Sequence, residues 1–112
     1  MAKKSRVQVS RHDAADALFA SDRICCKCRI AGKAIQIHHI DENPANNGPS
    51  NLAVLCLECH DETQVRGGFG RRLSAAEVTR YRVDWIARVL QRRHSADALA
   101  AEAMAGSRAQ AN

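Results

Sequence analysis

Two C-x-x-C pairs, Cys25/Cys28 and Cys56/Cys59, restrict this chain to folds that bring distant segments to one point. A C-x-x-C turn aims two thiolates at one tetrahedral site, and two such turns complete a four-sulfur zinc site. Cys26 is a fifth cysteine and also lies close to Cys28. Only Cys25 and Cys28 repeat the spacing of Cys56 and Cys59, so Cys26 reads as a spare, half-buried thiol. A redox C-x-x-C needs no second pair, so the second pair argues against disulfide exchange.

Compartment bears on the same question. No apolar run approaches the ~20 residues of a membrane helix. The basic start, Met1-Ala2-Lys3-Lys4-Ser5-Arg6, lacks the apolar segment of a signal peptide. The expectation is a cytoplasmic protein without membrane association, where paired cysteines hold zinc rather than form disulfides. With 112 residues the chain suits one domain with a modest core, a size at which a metal staple is useful. The formal net charge of +5 favours a polyanionic partner such as nucleic acid.

Residues 1–11 read as a basic arm. His12 to Asp22 is helix-compatible, with Asp13 near its start and Leu18 and Phe19 as its apolar face. The first cysteine pair follows, and then a turn at Gly32. Ala34 to Ile40 reads as a strand, with Ile35, Ile37 and His39 on one face and Gln36, His38 and Ile40 on the other. His38 and His39 then point apart, so one can bind a metal while the other stays free to act as a base. Asp41 to Ser50 is a loop by its Asn, Pro and Gly content. Asn51 to Leu55 is a second strand. Cys59 and His60 open a helix through Gln64, with Asp61 and Glu62 suited to its first turn.

Val65 to Leu73 is a glycine-rich basic loop in which Arg66, Arg71 and Arg72 are candidates for phosphate contact. It lacks Walker spacing. Ser74-Ala75-Ala76-Glu77 is a capping box opening a helix to about Arg93. Val78, Tyr81, Trp85 and Val89 form its apolar stripe, widened by Val83, Ile86 and Leu90. Residues 94–112 read as an Ala-rich, helix-prone and partly disordered tail.

The ordered pattern C-x-x-C, I-H-H-I-D, N-L-x-x-L-C-x-x-C-H resembles the HNH endonuclease family in its zinc-stapled form, over about Phe19 to Gln64. The resemblance implies a small α+β fold. Its ββα-metal core, about residues 24–65, carries a structural zinc and is flanked by a short N-terminal helix and a longer C-terminal helix at about 75–93. Residues 12–93 would form the single nuclease domain. It further implies that Cys25, Cys28, Cys56 and Cys59 hold the zinc and that His38 and His60 hold one divalent ion (Mg²⁺, Mn²⁺, Ni²⁺ or Zn²⁺). His39 would be the general base, and Asn51 would brace the loop and the backbone carrying it. Some members carry a further His four residues after the one equivalent to His60. Gln64, a poor ligand, stands there, so water and phosphate would complete the coordination. Asp41 is a nearby oxygen donor that matches none of the family's ligand positions.

The function implied is metal-dependent hydrolysis of DNA, most naturally double-stranded, giving 5′-phosphate and 3′-hydroxyl ends. An imidazole base suits water activation near neutral pH, and one divalent ion suits phosphoryl and leaving-group charge. A zinc-stabilised nucleic-acid-binding module without cleavage uses the same cysteines and arginines but has no need of an unligated His beside a ligand His. A zinc-binding protein-interaction domain fits the positive charge less well. So small a domain has little room for a specificity module, which implies weak sequence preference or a protein partner that supplies targeting.

Overall fold

The computed structural model describes residues 9–67 and 70–110, so only the end of the basic arm lies within the described residues. The order is α1 (Arg11–Ala20), β1 (Ile35–His39), a 3-10 turn (Pro49–Asn51), β2 (Leu52–Cys56), α2 (Leu57–Thr63) and α3 (Ala75–Gln110). β1 and β2 form a two-stranded antiparallel sheet in which Ile35 pairs with Cys56, His38 with Ala53 and His39 with Leu52. The result is a small α+β fold, a ββα unit flanked by an N-terminal and a C-terminal helix, carrying a four-cysteine cluster.

The start of α1 is set by Ser10, whose Oγ accepts the Asp13 N–H at 3.0 Å. Asp13 therefore occupies the first turn rather than the cap. α2 begins earlier than its charge pattern suggests, at Leu57, because Cys56 caps it: Sγ accepts the Cys59 N–H at 3.4 Å. Glu58 is then the first-turn acid, and Asp61 and Glu62 lie further along the helix. At α3 the capping box is formed in both directions. Ser74 Oγ accepts the Glu77 N–H at 3.2 Å, and Glu77 Oε1 accepts the Ser74 N–H at 3.3 Å.

α3 continues through the segment expected to be a tail and reaches Gln110. The segment after Arg93 is rich in alanine, the strongest helix former, and contains no proline. Its side chains from Ser95 to Gly106 are exposed.

The core joins β2 to α3 through the cysteines. Cys25, Cys26, Ala53, Leu55, Cys56, Cys59, Leu73, Val78, Trp85 and Val89 are buried in one cluster. Every residue of β2 is buried, although β1 is mostly half-buried. Val78, Trp85 and Val89 supply the inner face of α3, whereas Val83 and Leu90 are more than half exposed and do not widen it. Trp85 Nε1–H donates to the Ser21 carbonyl at 2.9 Å, tying α3 to the end of α1. Arg82 pins the same helix to β2, donating from Nε to the Leu52 carbonyl at 2.8 Å and from Nη2 to the Pro49 carbonyl at 2.9 Å.

Phe19 is not part of the core. It is 69% exposed, and the Arg93 guanidinium lies over its ring at 3.9 Å while donating to the Phe19 carbonyl. α1 buries no residue completely. No helix among the described residues is long and apolar enough to cross a membrane.

Candidate metal centre and histidine cleft

The Sγ atoms of Cys25, Cys28, Cys56 and Cys59 all lie within 4.8 Å of one another. Cys28 Sγ and Cys56 Sγ are 3.8 Å apart. Tetrahedral zinc with Zn–S bonds of ~2.3 Å requires an S···S edge of about 3.8 Å, whereas a disulfide requires ~2.05 Å. The donor set and spacing therefore fit a structural zinc ion.

Two turns build the cluster. The first closes with the Arg29 N–H donating to the Cys25 carbonyl at 3.0 Å, and Arg29 adopts a φ of 58° to leave it. The second is the Cys56-capped start of α2. Lys27 Nζ donates to both Glu62 carboxylate oxygens, at 2.7 and 2.9 Å, and so clamps the first turn to α2. Burial alone would raise the Cys25 thiol, but backbone N–H groups at Cys56, Cys28 and Lys27 bring it down to about 7. Burial raises the Cys28 and Cys59 thiols of the same cluster, so metal binding there is accompanied by proton release.

Cys26 lies outside the cluster. It is fully buried rather than half-buried, and burial pushes its thiol up to about 12. Its N–H donates to the Val54 carbonyl at 3.0 Å, and its side chain packs in the core shared by β2 and α3.

The histidines line a separate open cleft of about 350 Å³, formed by Ile37, His38, His39, Glu42, Pro44, His60 and Gln64. His38 is buried, and its ring meets that of His60 edge-on, with centroids 5.1 Å apart and planes at 74°. A separation of that size is that of an edge-on ring contact and is also compatible with two imidazoles on one ion. Burial first, and then the neighbouring His60, lowers the His38 pKa, which keeps the ring neutral and its lone pair available. The four-cysteine set is the one group of three or more metal-ligating side chains among the described residues, so His38 and His60 stand as a pair.

His39 rims the same cleft but has a different partner. Its Nε2 lies 2.7 Å from Oδ1 of Asn47. Strand alternation separates the two histidines, yet both reach the cleft because β1 ends at His39 and the chain turns at once. The Glu42 N–H closes that turn on the His39 carbonyl at 2.9 Å, with Glu42 at a φ of 61°.

Asn51 sits under this turn. Its carbonyl accepts the Ile40 N–H at 2.9 Å, its Oδ1 accepts the Asp41 N–H at 3.0 Å, and its Nδ2 donates to Asp41 Oδ1 at 2.8 Å. The Asp41 carboxylate is engaged within the loop, taking Asn46 Nδ2–H on its other oxygen at 2.8 Å.

Of the candidate phosphate contacts, Arg66 and Arg71 are exposed. Arg72 is committed to the fold: Nε donates to the Thr63 carbonyl and Nη2 to Glu42 Oε1, each at 2.9 Å. Gln64 lines the cleft and donates from Nε2 to Thr63 Oγ1 at 2.8 Å. Asn47 and Glu42 are the site residues that sequence reasoning passed over. The available signal was the run Asn43-Pro44-Ala45-Asn46-Asn47, dense in amides soon after the histidine pair.

Fold and site together define a small ββα module with a four-cysteine metal-binding cluster and a histidine-lined cleft. No family model, curated protein or solved structure matches the chain.

Proposed function

We propose that this protein is a metal-dependent DNA endonuclease of the HNH type. The observation that carries the proposal is the cleft. It holds the imidazoles of His38 and His60 in edge-on contact, with a third imidazole, His39, on the same rim and against the Asn47 amide. A binding module has no use for that arrangement.

His38 and His60 would hold one divalent ion, which when bound supplies Lewis-acid stabilisation of charge on the phosphoryl and leaving oxygens. His39 takes the proton of the attacking water from the open side of the cleft. Asn51 keeps the turn after His39 closed, so that the ring does not drift from the scissile phosphate. Arg66 and Arg71 are exposed in the segment after α2 and offer contacts to the flanking backbone, in keeping with the net charge of +5. Water attack with departure of the 3′ oxygen leaves 5′-phosphate and 3′-hydroxyl ends.

The test is incubation of plasmid DNA with Mg²⁺, Mn²⁺, Ni²⁺ or Zn²⁺, with EDTA and His39→Ala as controls. Metal-dependent nicking or linearisation that is lost with His39→Ala is expected. Undiminished cutting by His39→Ala would remove His39 from its role. A second reading, zinc-stabilised nucleic-acid binding without cleavage, draws on the absence of a third ligating side chain beside His38 and His60 among the described residues. Salt-dependent DNA binding with no cutting under any metal would favour it.

A further inference from the structure

We infer that Asn47 is a positioning residue for His39, selecting the tautomer in which Nδ1 carries the lone pair; this rests on the nuclease reading for its consequence, though not for its geometry. The amide oxygen of Asn47 lies 2.7 Å from His39 Nε2. A carbonyl oxygen only accepts, so the proton between the two atoms belongs to Nε2. In a neutral imidazole that leaves Nδ1 bare, on a ring that lines the cleft. A general base needs its proton-accepting nitrogen unprotonated and correctly aimed, and a fixed acceptor on the opposite nitrogen supplies both.

The loop holds Asn47 from both sides. Asp41 Oδ2 accepts Asn46 Nδ2–H at 2.8 Å, and Asn51 Nδ2 donates to the Asn46 carbonyl at 2.9 Å. On the far side, the Gly48 N–H donates to Asn46 Oδ1 at 3.3 Å and the Gly48 carbonyl accepts the Asn51 N–H at 2.8 Å. Asp41 Oδ1 also accepts the Asn43 N–H at 2.9 Å. Asn46 and Gly48 are thereby anchored to Asp41 and Asn51, and the amide between them is presented to the ring at small entropic cost. Asn51 thus acts on the turn after His39, and Asn47 on the ring itself.

The experiment uses the zinc-loaded full chain and compares wild type with Asn47→Leu and Asn47→Asp. The ¹⁵N resonances of the His39 ring report the tautomer directly, independently of any cleavage. Wild type and Asn47→Asp, which keeps an acceptor oxygen, are expected to show a protonated Nε2 and a bare Nδ1. Asn47→Leu is expected to mix the tautomers, lower kcat on plasmid by about 10²-fold and leave KM unchanged. Asn47→Asp should restore most of the rate. A wild-type ring protonated at Nδ1, or an Asn47→Leu protein with unchanged tautomer and kcat, would overturn the inference. If the ring behaves as expected but no metal supports cleavage, the positioning contact stands and the nuclease reading falls.

Discussion

The sulfurs of Cys28 and Cys56 lie 3.8 Å apart, although the first belongs to the turn before β1 and the second to the last position of β2. That contact joins the two turns into one four-sulfur cluster at the base of the sheet, inside the same core as Trp85 and Val89. Zinc removal is therefore expected to be a folding event rather than a local one. One tightly held zinc per chain is expected by elemental analysis. Loss of even ~4 kcal/mol of metal-linked stability would lower Tm by about 15–30 °C in a domain this small. Thermal melts with and without a strong chelator, and with Cys59→Ser, check it; a Tm insensitive to both would remove the staple.

Cys26 separates packing from ligation. It is fully buried and outside the cluster, so Cys26→Ser places a hydroxyl in the core without removing a ligand. A loss of about 1–3 kcal/mol with unchanged zinc content is expected, and a smaller loss for Cys26→Ala. Denaturant unfolding paired with zinc analysis distinguishes this from the cluster cysteines, whose substitution costs both stability and metal.

The three cleft histidines should divide by phenotype. His39→Ala is expected to lower kcat by about 10²–10⁴-fold while the folded protein still binds a second metal ion. His60→Ala is expected to abolish that binding along with cleavage. Calorimetric metal titration of zinc-loaded protein, run beside the plasmid assay, reads both. Equal metal binding by the two variants would break the assignment.

Asp41 gives the loop an acid limit. Hydrogen bonds from the Asn46 side chain, the Asn43 backbone and the Asn51 side chain hold its carboxyl below the usual range. A depressed folded pKa stabilises fully above the unfolded value of ~3.9 and is lost as pH falls through the lower folded value. The Tm difference between wild type and Asp41→Asn should be largest near neutrality and shrink below about pH 4. A difference that grows in acid would contradict the network. Taking the difference cancels the effect of zinc release, which both proteins share.

The arginines of the loop after α2 should not behave alike. Arg66→Ala and Arg71→Ala are each expected to weaken DNA binding across sequences and reduce the salt slope by about 1. Arg72 is tied to Thr63 and Glu42, so Arg72→Ala should cost about 0–1 kcal/mol of stability and leave that slope unchanged. Binding titrations over a salt series compare the three. A slope reduced by Arg72→Ala alone would reverse the division.

The amino-acid sequence by itself determined the elements whose cause is local. The C-x-x-C spacing named the four ligands and excluded Cys26, because two thiols three residues apart on a turn can share one tetrahedral ion. The Ser74–Glu77 box marked the start of α3, since both of its hydrogen bonds close within one turn. Apolar alternation marked the first strand, and a short apolar run the second. Tertiary structure decided what depends on closure of the whole chain. Trp85 meets the Ser21 carbonyl across 64 positions, and no periodicity in α3 names that partner. Arg72 became a structural pin because the turn at Glu42 brings a carboxylate to it, a contact 30 positions long. Cys26 became core, and Phe19 surface, once β2 and α3 chose which faces to bury. His39 met Asn47 only eight positions away, yet through an irregular loop whose path Asp41 and Asn51 set by side-chain hydrogen bonds. Repeating backbone geometry carries the first kind of information, and packing and loop closure carry the second.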